Sequence, residues 1–374
     1  MKSRTKIGLV LLVIVLLTSA AIFGRDGITS LFFQPTESSV QEGVTSNTVL
    51  PPEVVAQDLT TPWSVAFLPD ADMVISERSG QLVRVGKSGA QFKIDGVRQT
   101  SEGGLLGIAL HPDFSTNNYV YIYFTTDSNG SLSNQIDRYT LLNNQLKLDT
   151  TIIKDIPAAS NHNGGTIAFG PDSLLYATTG DAAKPELAQD RASLAGKILR
   201  MNDDGSVPSD NPFSNLVWSY GHRNPQGIAW TEEGVLWSVE HGPSGPDTGR
   251  DELNLITKAS NYGWPEITGD ENQGGMVAPV AQSGDSETWA PAGIAYYNGS
   301  LYFAGLRGQS LYQAKINNDN SVSLQRHFSE EYGRLRAVSV YKDKLYISTS
   351  NRDGRGSPNA NDDKILRIDP KLFQ

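Results

Sequence analysis

The chain has 374 residues, 38% of them apolar, which is ample for a large core and more than one compact domain usually contains. Its formal net charge is −10, and the first 24 residues hold Lys2, Arg4 and Lys6 with no acid, so the body is more acidic still. That balance argues against nucleic acid and anionic membrane surfaces as partners, and the absence of cysteine excludes a lipid-modified cysteine anchor, disulfides and thiolate metal sites.

The basic start runs into an apolar stretch from Ile7 to Phe23. Its length is at the short limit for a bilayer span. Small residues at Thr18 and Ala20, or at Ser19 and Ala21, suit cleavage, so residues 1–24 read equally as a signal peptide or as an uncleaved membrane anchor. Either reading puts the body outside the cytoplasm, in the periplasm, on the cell surface or secreted. Residues 25–50 are rich in Ser, Thr, Gln and Gly without strand alternation and read as a flexible linker, with Leu31-Phe32-Phe33 its apolar exception.

From residue 51 to 374 a short pattern recurs. An apolar-small-apolar triplet is followed by a Pro-Asp or Asn-Gly turn and a second β-rich run. The triplets are Val65-Ala66-Phe67, Ile108-Ala109-Leu110, Ile167-Ala168-Phe169, Ile228-Ala229-Trp230, Ile294-Ala295-Tyr296 and Val338-Ser339-Val340. Their central residues lie about 43 to 66 positions apart, and no long stretch has helical periodicity. Several strands per unit at that period predict an all-β fold, a six-bladed β-propeller. The longer intervals leave room for loops on one face, where function usually sits.

The residues with chemistry fall at equivalent places, near the start of each predicted blade. Glu102 lies in SEGGLLG, His162 in NHNGG, Arg223 and Asn224 in GHRNPQG, and Arg334 and Arg336 in GRLRAV; Asp181 ends a hairpin in TTGD. A propeller brings such starts together around its channel. The densest stretch runs from Trp218 to Pro265. There Gly and Pro can fix the backbone so that carbonyl oxygens face a cation, and Arg223 offers a rigid donor fork for an anion.

The ordered set GLLGIALHPDF, NHNGGTIAFGPD, LYATTGD, GKILRMNDDG, SYGHRNPQGIAW, EHGP, DELNLI and NYGWPE resembles the soluble pyrroloquinoline quinone (PQQ) dependent glucose and sorbosone dehydrogenases, in their aldose sugar dehydrogenase branch. The resemblance covers most of residues 51–374. It implies a six-bladed propeller that uses PQQ and Ca²⁺ to oxidise the anomeric hydroxyl of an aldose sugar to a lactone. Electrons would then pass to an external acceptor.

Residue roles follow from the same likeness. His162 matches the general base, Asp181 the carboxylate that orients it, and Arg223 and Asn224 residues beside the quinone. Gly242 and Pro243 match carbonyl donors to a catalytic calcium, and Glu252 and Tyr262 match ligands of a second, structural calcium. Arg334 and Arg336 match the pair that holds the PQQ carboxylates, and Arg307 falls where the family has a cofactor-binding lysine. Glu102 stands where the glucose enzymes have glutamine, and the loop from Gly242 to Glu252 is longer than usual.

These roles are chemically sound. A neutral imidazole suits proton abstraction from an alcohol near neutral pH. Several arginines suit a tricarboxylate, and carbonyl oxygens suit calcium. Two other classes remain open from sequence: a calcium-bound lactonase-type hydrolase and a non-catalytic binding propeller. His111 reads as structural, His222 and His241 as divided between site and brace, His327 as a surface residue and Trp264 as a brace of its own loop.

Overall fold

The computed structural model describes residues 40–128, 130–243, 249–285 and 287–373. The expected signal or anchor segment, and Leu31-Phe32-Phe33 with it, lie outside the described residues. Among those residues no helix is long and apolar enough to cross a membrane.

Six sheets, taken in chain order, form six blades. The first three are built from Pro62–Phe67 to Ala90–Lys93, from Leu105–Leu110 to Gln145–Pro157, and from Ile167–Phe169 to Val217–Tyr220. The next three open with Pro225–Trp230, Pro291–Tyr297 and Leu335–Tyr341. Each blade is antiparallel in sequence order, and the innermost edges of successive blades touch round the ring. The sixth blade takes its outer strand from the other end of the domain, where Glu53–Ala56 pairs antiparallel with Ile365–Ile368 and closes the circle. The six-bladed expectation is therefore met.

The sequence triplets are the inner strands, and their register explains the recurrence. Each small central residue faces a larger one on the second strand. Ala109 pairs with Tyr121, Ala168 with Tyr176, Ala229 with Trp237, Ala295 with Tyr302, and Ser339 with Tyr346. Large side chains from the second strands fill six apolar clusters, one between each pair of neighbouring blades. The inner strands approach so closely that some positions admit no side chain. A Cβ on Gly107 would lie 2.2 Å from the Gly165 carbonyl oxygen, and one on Gly227 would lie 2.4 Å from that of Ala292.

The linker expected to reach residue 50 ends sooner. Gln41–Glu42 adds a parallel fifth strand to the fifth blade, against Gln325 and Arg326. Val44 and Val49 pack on the apolar cluster between the last two blades. His327, expected at the surface, is 1% exposed. Its Nδ1 accepts the Val44 N–H at 3.1 Å and its Nε2 donates to Gln313 at 3.0 Å. Backbone pairing across nearly the whole domain carries this segment, so local composition gave no sign of it.

Candidate active site

The loops that start the blades converge at one mouth of the channel. His162 precedes the third blade's inner strand in a left-handed conformation, φ 56°. Ala182 and Ala183 beside it share that conformation, at φ 54° and 55°. Three non-glycine residues held this way in one corner mark a backbone set by its surroundings. The His162 Nδ1 lies 2.8 Å from Asp181 Oδ1. Asp181 is fully buried and also accepts the Ala183 N–H and, on Oδ2, the Trp264 indole N–H at 2.8 Å. A carboxylate at Nδ1 assigns the proton to that nitrogen and leaves the Nε2 lone pair outward, the arrangement of a base.

Glu102 reaches the same loop. One carboxylate oxygen accepts the His162 main-chain N–H at 3.1 Å, and the other accepts Arg355 at 2.9 Å. Burial would raise its pKa, but Arg355, His241 and the His162 N–H outweigh it and hold the group down at about 2. Asn224 is buried and spends its side-chain oxygen on the Gly164 N–H, 2.9 Å away, so it braces the histidine loop. Arg223 lies over the Trp264 ring, 5.3 Å from its centre. The Arg223 main-chain N–H is fixed by Glu240 at 2.9 Å. Glu240 in turn takes His222 Nδ1 at 2.8 Å, and His222 Nε2 meets Ser219. His222 is therefore part of the brace beneath the site.

The two arginines of GRLRAV differ. Arg334 spends its fork on Asp353, with contacts of 2.9 and 2.8 Å, and a third donor on the Leu306 carbonyl. Arg336 is 5% exposed, and among the described residues no carboxylate pairs with it. Its contacts are long: Ser350 at 3.4 Å, Gln226 at 3.3 Å and the Trp63 ring at 5.9 Å. Burial, aided by Arg78 and Arg334 against Asp353, pulls its pKa down to about 9. Arg307 is half-buried beside Leu306, next to the Arg334 contact.

Gly242, Pro243, Glu252 and Tyr262 line one small cleft, together with Arg223, Glu240, His241 and Trp264. Asp251, buried and with a raised pKa, accepts the Gly242 N–H at 2.9 Å and holds that turn. Among the described residues no donor reaches the Gly242 or Pro243 carbonyl oxygen. Glu252 is pushed up to about 8 by burial and by the neighbouring Glu240 charge. The Tyr262 hydroxyl is already used, since it donates to the Leu255 carbonyl at 2.7 Å and accepts the Thr257 N–H. Only its main-chain carbonyl is left for a metal.

Sequence reading gave Trp264 another role, left His241 divided between site and brace, and missed Arg78. Trp264, read as a loop brace, donates to Asp181, the carboxylate that pairs with His162. His241 lies among Glu102, Arg223, Arg336 and His162; burial holds its pKa near 3, and its Nε2 is buried without a hydrogen-bond partner. Arg78 follows the first blade's second strand, in a stretch that matched no motif. The NYGWP and EHGP motifs could have flagged the first two.

A histidine oriented by a buried carboxylate therefore stands beside buried, under-neutralised arginines at one mouth of a six-bladed propeller. The chain belongs to the Glucose / Sorbosone dehydrogenase family, whose match spans residues 59–366. It is similar to the structure of the PQQ-bound form of aldose sugar dehydrogenase from Streptomyces coelicolor, with 43% identity, TM-score 0.79, and 85% of this chain and 97% of that one covered. Aldose sugar dehydrogenase YliI of Escherichia coli is 31% identical over 85% of this chain and 92% of its own length. Quinoprotein glucose dehydrogenase B of Acinetobacter calcoaceticus is 33% identical over 60% of this chain and 54% of its own. The protein is an oxidoreductase of the sugar dehydrogenase class.

Proposed function

We propose that the protein oxidises the anomeric hydroxyl of an aldose to the lactone, with PQQ and Ca²⁺ bound at the channel mouth. The observation that carries this reading is Arg336, a buried cation with long contacts and, among the described residues, no carboxylate partner, which an anionic group would complete. When bound, PQQ supplies the two-electron chemistry by taking up the hydride, and calcium polarises the carbonyl that receives it.

The chain's own residues do the rest. His162 Nε2 takes the substrate hydroxyl proton, Asp181 stabilises the imidazolium that results, and Trp264 keeps Asp181 in place. Arg336 and Arg307 hold carboxylates of the cofactor, and Arg223 lies beside the ring. The Gly242 and Pro243 carbonyls hold the catalytic calcium. Glu252, with Glu240 and the Tyr262 carbonyl, holds a second calcium that relieves the repulsion between the two acids. An external acceptor would take up the electrons of the oxidation, and the N-terminal segment would export or tether the domain. A lactonase site would centre side-chain ligands on one metal, whereas these ligands are mostly main-chain carbonyls.

The test is to add PQQ and calcium to the purified protein, record visible absorbance, then add an aldose and assay for lactone. Bound PQQ should be bleached by the sugar, with one lactone formed per PQQ reduced in the absence of an acceptor. No binding at saturating calcium would overturn the proposal.

A further inference from the structure

The channel mouth holds more buried positive charge than its acids neutralise. Arg78, Arg334 and Arg336 are 6%, 4% and 5% exposed, and each acts on the others as a like charge. Among the described residues one buried carboxylate, Asp353, forms an ion pair within this group, and it pairs with Arg334. Glu102 is committed to Arg355 and to the His162 N–H. Among the described residues Arg78 gives one hydrogen bond, to the Asp353 main-chain carbonyl at 3.2 Å, while its Nε is buried without a partner. An ion removed from water is costly unless its charge and donors are met.

The backbone of Arg78 is locked. Its N–H donates to the Thr61 carbonyl at 3.2 Å, and its own carbonyl accepts the Leu105 N–H at 3.1 Å. Gly104 packs so tightly on it that a Cβ there would lie 2.2 Å from the Arg78 oxygen. The guanidinium is therefore presented from the seam of the first two blades, opposite the sixth-blade loop that carries Asp353. Such a fork, fixed in advance and short of acceptors, suits a carboxylate.

We propose that Arg78 is an anion-binding residue of this site and that, with Arg336, it grips carboxylates of a planar aromatic polycarboxylate. The identity of that anion as PQQ rests on the function proposed above; the anion site itself does not.

Two probes separate the two claims, each applied to the full chain and to Arg78→Met and Arg78→Lys. The first is PQQ with calcium, titrated by absorbance. Arg78→Met should bind roughly 10- to 100-fold more weakly, the range for one charge-assisted hydrogen bond. Arg78→Lys should recover part of that affinity. The second probe is benzene-1,3,5-tricarboxylate in calcium-free buffer, followed by thermal shift. It should stabilise the wild type more than Arg78→Met.

Unchanged PQQ affinity in a folded Arg78→Met protein overturns the proposal. If the wild type does not bind PQQ, the cofactor reading fails, and the tricarboxylate shift decides alone. A shift lost in Arg78→Met upholds the anion site. An equal shift in both proteins, or none in the wild type, overturns it.

Discussion

Trp264 donates its indole N–H to the oxygen of Asp181 that His162 leaves open, at 2.8 Å, so the carboxylate that pairs with His162 is held from both sides. Trp264→Phe keeps an aromatic ring beneath Arg223 and removes that one bond. A hydrogen bond to a charged group is worth about 1.5–3 kcal/mol, so turnover should fall about 10-fold or more with little change in PQQ affinity. His162→Ala should cost roughly 100- to 10,000-fold. Steady-state kinetics at saturating PQQ checks both. Wild-type turnover in Trp264→Phe would show that Asp181 needs no second anchor.

Calcium and Glu252 give a crossover in stability. Without calcium, burial and the Glu240 charge push the Glu252 pKa up to about 8, so near neutral pH folding must bring a proton to Glu252 that a glutamine does not need, and Glu252→Gln should melt higher than the wild type. With calcium the order should reverse, because a ligand bound only by the native state stabilises it. Melting curves across a calcium series are the measurement. Identical calcium responses in the two proteins would remove Glu252 from any metal site.

His327 predicts a pH effect on stability. Burial lowers its pKa from 6.5 to about 4, so between those values the unfolded chain binds more protons than the native one. Its contribution is fully present above pH 6.5 and is lost as pH falls toward 4, by up to about 3 kcal/mol. The proton would enter Nδ1, which accepts the Val44 N–H, and so break the dock of the N-terminal segment. His241 titrates in an overlapping window, so the comparison must be between the wild type and His327→Gln. The variant's urea midpoint should fall less steeply from pH 6.5 to 4; parallel slopes would refute the assignment.

Gly107 tests the packing of the blades. Its missing side chain faces backbone, the Gly165 carbonyl oxygen at 2.2 Å and the Ile167 nitrogen at 3.0 Å. Backbone cannot swing aside as a long side chain can, so Gly107→Ala should lose about 1–3 kcal/mol. A lower urea midpoint with an unchanged slope is the expected result. An unchanged midpoint would mean that the second and third blades part without cost.

What the sequence disclosed followed locality. The six inner strands were readable because each repeats a small residue opposite a large one a short turn away, as with Ala168 and Tyr176. His162 and Asp181 were readable because each sits in a dense motif. The dock of residues 40–49 depends on strands far along the chain, and His327 lies beside Ser329 and Glu330, which gave it a polar, surface-like context. Arg78 was hidden for another reason. Its significance is a deficit of negative charge among residues of three blades, and no window of one chain displays that.

The pairing of Glu53 with Arg367 joins residues 314 positions apart. Contacts of such separation form late, because the closure entropy of the intervening loop must be met first. A chain emerging from its N-terminus therefore passes through an open arc with an unpaired strand edge, and edges of that kind recruit other chains. Residues 365–368 act as the latch on this arc. Nascent molecules that lack them are the ones expected to aggregate, and a chaperone that shields strand edges would act during that interval.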